Sequence, residues 1–143
     1  MTGGELWIAR EDLGLGRAEL ATMLNVTPAA VAAWEQGKSH VPHRVTDAIR
    51  DLMAGRGAAV TDLVAELRAM ADPQVVIFWK PDAVPPGRDG AVRYGFGWWR
   101  QVVREARKQV PETRVGSPEE IAFIRSENPD SRHLSRDEEI PKE

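Results

Sequence analysis

The stretch from Arg17 to Gly37 constrains the fold more than any other part of the chain. Leu20 and Leu24 lie four apart and give one helix an apolar edge, and Ala21 is small where a second helix has to cross closely. Asn25 tolerates the left-handed backbone that a tight turn between helices requires. Val26 then returns to the core. Thr27 is a good N-cap and Pro28 suits the first helical position, so a second helix starts there. Val31 and Trp34 share one face of that helix, and Gly37 supplies its stop. A helix of about nine residues is marginal alone, so packing must hold it.

Around this pair the apolar spacing predicts helices over 6–13, 18–24, 28–36 and 44–53, the last with Val45, Ile49, Leu52 and Met53 facing inward. Gly55-Arg56-Gly57 reads as a break. Beyond it Val60, Leu63, Val64, Leu67 and Met70 recur at three and four, the cleanest amphipathic pattern in the chain. Three uses fit that face: packing on its own bundle, spacing a second module, or pairing with a second copy. Pro73 ends this helix, and 74–79 has the β-branched and aromatic content of a strand. Residues 80–90, with three prolines, two glycines and two aspartates, read as a loop. The alternation of Val92, Tyr94 and Phe96 predicts a second strand over 91–96. Residues 98–110 read as a helix, 113–116 as a short strand returning beside 75–78, and Ser117-Pro118-Glu119-Glu120 as the capped start of a helix running to about Arg125. From Ser126 onward the chain is almost wholly polar, and a disordered acidic tail is expected.

The expected fold is therefore mainly α: a bundle of about five helices, then a small α/β module and the tail. The units are 1–56, a connecting amphipathic helix 57–72, the module 73–125 and the tail 126–143. The 143 residues include no cysteine, which excludes disulfides and thiolate-held zinc. His40 and His43 at a spacing of three are better read as a solvent-facing loop than as a metal fragment, and His133 stands alone. Nothing calls for a cofactor or a metal. No run of 18 apolar residues exists and the N-terminus lacks a signal-peptide charge pattern, so a soluble cytoplasmic protein is expected, with no membrane partner. The net charge of −3 argues against indiscriminate DNA binding, yet residues 73–116 carry eight Lys/Arg against four Asp/Glu.

The segment 6–53 resembles the XRE family of lambda-repressor-like helix-turn-helix proteins. Leu6, Ala9, Arg10, Leu13-Gly14-Leu15, Glu19-Leu20-Ala21 and Trp34-Glu35-Gln36-Gly37 carry the likeness in fixed register. It implies a transcriptional regulator that binds double-stranded DNA, a repressor acting by occupying an operator. It also implies a structural salt bridge between Arg10 and Glu35 that orients the recognition helix. More weakly, Val75-Val76-Ile77-Phe78, Trp98 to Val103 and Val110 to Val115 resemble the C-terminal region of small helix-turn-helix proteins of actinobacteria and their phages, which suggests a phage or prophage setting. The histidine expected soon after the tryptophan is replaced by Arg100 or Gln101.

In that family the start of the third helix enters the major groove and the second helix begins over phosphate. Arg17 is then the phosphate contact and Thr27 reaches a phosphate or base edge. Pro28, Ala29, Ala30, Ala32 and Ala33 face the groove, where alanine offers only methyl contact or close backbone approach. Specificity is left to Thr27, Gln36, Lys38, Ser39 and His40, to DNA shape, or to a second surface. Arg100, Arg104, Arg107 and Lys108, along one side of a helix, are the candidate second surface, although such faces are ordinarily just solvated. Trp79, Trp98 and Trp99 could form a base-stacking platform, but aromatic residues in such positions more often belong to the core. Enzymatic activity is not expected, since no cysteine nucleophile, no phosphate-binding glycine loop and no His paired with an acid at motif spacing is present. The rival reading is a protein-interaction module, antitoxin-like or anti-regulator, with weak or no DNA readout. A homodimer through 58–71 or the C-terminal module is the expected self-association.

Overall fold

The computed structural model describes residues 1–80 and 83–127. Its elements run α1 Gly3–Asp12, α2 Arg17–Leu24, α3 Pro28–Glu35, α4 His43–Arg68, β1 Gln74–Val76, α5 Asp89–Tyr94, α6 Phe96–Gln109, β2 Arg114–Gly116 and α7 Pro118–Glu127. The protein is mainly α, a helical bundle followed by a small α/β module.

The first three helices stop in the same way. Gly14 (φ 71°), Asn25 (φ 57°) and Gly37 (φ 75°) each take the left-handed conformation just past a helix. In each case the next residue's N–H reaches back to a carbonyl five positions earlier: Leu15 to Arg10, Val26 to Ala21 and Lys38 to Ala33, at 3.1, 2.9 and 2.9 Å. This is the Schellman arrangement, which satisfies terminal carbonyls and turns the chain sharply. Thr27 caps α3 by accepting from the Ala30 N–H at 3.1 Å. Arg44, from the first turn of α4, donates to the Leu24 carbonyl at 3.2 Å and so serves the exposed end of α2.

Two expectations are corrected. The break at Gly55-Arg56-Gly57 does not occur; α4 runs unbroken for 26 residues. A helical glycine costs about 1 kcal/mol relative to alanine. That cost is offset by the burial of Val60, Leu63, Val64 and Leu67 and by Arg56, whose guanidinium donates to the carbonyl and the carboxylate of Asp12 at 2.9 Å each. The expected strand over 91–96 is instead α5 and the start of α6. Ala91 is buried, Val92 is 62% exposed, and Tyr94 packs on Trp98 with ring centroids 4.9 Å apart. Packing on Trp98 decided what a short alternating run left ambiguous.

The apolar row of α4 is covered by α6, whose Trp99, Val102, Val103 and Ala106 complete a core continuous with that of α1 to α3. Of the three uses expected for that face, packing on its own bundle, spacing a second module or pairing with a second copy, the first is observed: it is covered within the chain. β2 returns parallel to β1 in the register Gln74↔Arg114, Val75↔Val115 and Val76↔Gly116. α7 packs on this two-stranded sheet and extends to Glu127, two residues past its expected end. The rest of the expected tail, with His133, lies outside the described residues, as does Asp82.

Candidate nucleic-acid interface

The exposed start of α3 and the ion cluster behind its far end define the site. Glu35 closes α3, where a carboxylate meets the negative end of the helix dipole, so its charge needs strong partners. Oε2 accepts from Arg10 Nε at 2.6 Å; Oε1 accepts from a second Arg10 nitrogen at 3.1 Å and from Arg17 Nε at 2.8 Å. A further Arg10 nitrogen donates to the Leu15 carbonyl at 2.9 Å. One buried carboxylate thereby ties α3 to α1, to the turn after α1 and to the first residue of α2. Burial alone pushes the Glu35 carboxyl up, and the hydrogen bonds and charges of Arg10 and Arg17 outweigh it, holding the group below its ordinary value.

Arg17 was expected over phosphate. Its Nε is turned to Glu35, and its guanidinium lies 4.8 Å from the centre of the Trp7 ring, yet the side chain stays 35% exposed. No local pattern signals this second partner for Glu35, or Trp7, because the contacts join residues ten or more positions apart.

Thr27, Pro28 and Ala29 are exposed at the start of α3, whereas Ala30, Ala32 and Ala33 are half-buried and Ala30 packs against the core. Gln36, Lys38, Ser39 and His40 are all exposed on the turn after α3, and His43 is exposed at the start of α4. Among the described residues no group of three His, Asp or Glu side chains could hold a metal ion.

Arg100, Arg104, Arg107 and Lys108 all lie exposed on the outer side of α6, with Lys108 donating to Glu105 at 2.9 Å. The first turn of α6 is pressed against the turn between α1 and α2. A Cβ on Gly97 would collide with the Gly14 carbonyl, and one on Gly14 with the Gly97 carbonyl. Such contact fixes the basic helix to the α1 to α3 bundle. The three tryptophans do not form a platform: Trp98 and Trp99 are buried, and only Trp79 is exposed. Trp99 donates to the Val76 carbonyl at 2.9 Å, which locks α6 to the sheet.

Among the described residues no helix is long and apolar enough to cross a membrane. No family model matches the chain, and no curated protein matches it.

Proposed function

We propose that this protein is a sequence-specific double-stranded DNA-binding regulator of the XRE type, a repressor that acts by occupying its operator. The observation that carries the reading is the pairing of α2 and α3. Asn25 turns the chain, Thr27 caps α3, the inner face of α3 is buried through Val31 and Trp34, and its first turn is left bare. A short helix held from behind with its start exposed is what insertion into a major groove requires. The exposed Gln36, Lys38, Ser39 and His40 supply hydrogen-bonding groups that the alanines lack. The basic side of α6 supplies phosphate contacts, carried on a helix packed against the same bundle. Where two copies pair on DNA, the outer surface of the C-terminal module provides the contact.

Selection of bound duplexes from a random-sequence pool tests this. The expected result is a shared sequence bound roughly 10³-fold or more tighter than a scrambled duplex. Equal affinity for all duplexes would overturn it. Charge reversal by Arg104→Glu with Arg107→Glu is expected to weaken specific and scrambled duplexes alike and to flatten the dependence of log affinity on log salt by about 2. An unchanged salt slope would remove α6 from the interface.

One observation favours a second reading. Pro28 and Ala29, the most exposed residues of α3, have no side-chain donor or acceptor, a surface better suited to a protein than to base edges. The antitoxin-like or anti-regulator interaction module is the reading that stands if the selection yields no sequence.

A further inference from the structure

We propose that the cleft between the end of α4, β1, the 85–88 turn and α7 binds a small carboxylate with an apolar body. The site stands independently of whether the protein binds DNA. The cleft encloses about 400 Å³, within the range of small-molecule sites, and Met70, Val75, Phe78 and Pro86 give it apolar walls.

Its polar groups are set by two arginines that the fold treats differently. Arg88 is used up: its two terminal nitrogens grip Glu66 at 2.8 and 2.5 Å, and its guanidinium lies 4.9 Å from the centre of the Trp99 ring. Arg125 is only half used. Its Nε donates to Gln74 Oε1 at 3.1 Å, the one hydrogen bond its side chain makes among the described residues, so its two terminal nitrogens are open there.

Gln74 fixes where that open fork sits. It is 2% exposed, and its Nε2 donates to Asp72 Oδ2 at 3.1 Å, which leaves Oε1 as the acceptor facing Arg125. A buried amide with a single allowed orientation is an unusual support for a surface arginine. The Arg125 fork matches a carboxylate in two parallel N–H···O bonds, whereas an amide or alcohol satisfies it only in part. A second cleft of about 400 Å³, between α2, α4 and α5, differs: its Arg93 lies 5.1 Å from the ring of its own neighbour Tyr94 and, among the described residues, has no hydrogen-bond partner.

The test is a titration of the full chain with phenylacetate and, separately, phenylacetamide, followed by ¹H–¹⁵N NMR at the Gln74 side-chain amide, the 75–78 backbone and the Trp99 indole. Saturable shifts confined to these groups are expected for the acid, with affinity at least about tenfold lower for the amide, as loss of a charge-assisted hydrogen bond implies. Arg125→Gln should bring the acid down to the amide's affinity. Arg125→Lys, which keeps a cation beside Gln74 but loses the fork, should fall between, and Arg93→Gln should bind as the unaltered chain does. No saturable shift in the cleft, equal response to acid and amide, or indifference to both Arg125 variants would each overturn the proposal.

Discussion

α3 and α6 each bury one face and show the other to solvent, but the faces they show are opposites. α3 presents proline and alanine, with its one charge, Glu35, buried at its end; α6 presents three arginines and a lysine. A small, uncharged face permits close approach and offers little chemical discrimination, whereas a cationic face attracts phosphate and reads no sequence. The supports differ as well. α3 adds to the burial of Val31 and Trp34 the ions and hydrogen bonds on Glu35, whereas α6 is held mainly through apolar surface and backbone contact. The first support should be sensitive to charge and acid, the second to volume.

Glu35→Ala is the hardest blow to that contrast. It leaves Arg10 buried without its carboxylate, and a loss of about 3–5 kcal/mol in urea unfolding is expected. A loss below about 1 kcal/mol would show that apolar packing alone holds α3. Acid sharpens the same point. Because the folded Glu35 carboxyl lies below its ordinary value, its contribution is present above the ordinary carboxylate range and is lost as pH falls through the folded value. Unfolding midpoints measured against pH should lose that component in Glu35→Gln.

Volume is the matching test for α6. Gly97→Ala drives a methyl into the Gly14 carbonyl and should cost about 1–3 kcal/mol by the same measurement, with no dependence on pH. A neutral result would mean that the two turns separate easily. Thr27→Ala, which removes the cap of α3, should cost about 1 kcal/mol. The smallest effect has the opposite sign. A Cβ at Gly55 or Gly57 meets open space, so alanine at each should raise stability by about 0.5–1 kcal/mol, read from thermal melts.

What the sequence made legible follows the same division. The boundaries of α2 and α3 are written locally, in Asn25, Thr27, Pro28 and Gly37, because caps and left-handed turns depend on a few adjacent residues. The unbroken course of α4 is not, since it rests on Arg56 reaching Asp12, 44 positions away, and on α6 covering Val60 to Leu67. α5 is not legible locally, because six residues of alternation fit a strand or a short helix equally until Trp98 is in place. The Arg10 and Glu35 pairing was expected from resemblance, but Arg17 as the second cation, and the meeting of Gln74 with Arg125 across 51 positions, leave no periodic trace.

The covering of α4 by α6 also bears on how the chain is made. Residues 60–67 leave the ribosome some forty residues ahead of the last α6 residues that bury them. For that interval a row of valine and leucine lacks the helix that covers it, the kind of transient exposure that invites chaperones or aggregation. A fragment cut after Arg68 would leave the row without its α6 cover, so the bundle of α1 to α3 is better studied alone with α4 trimmed back before Val60.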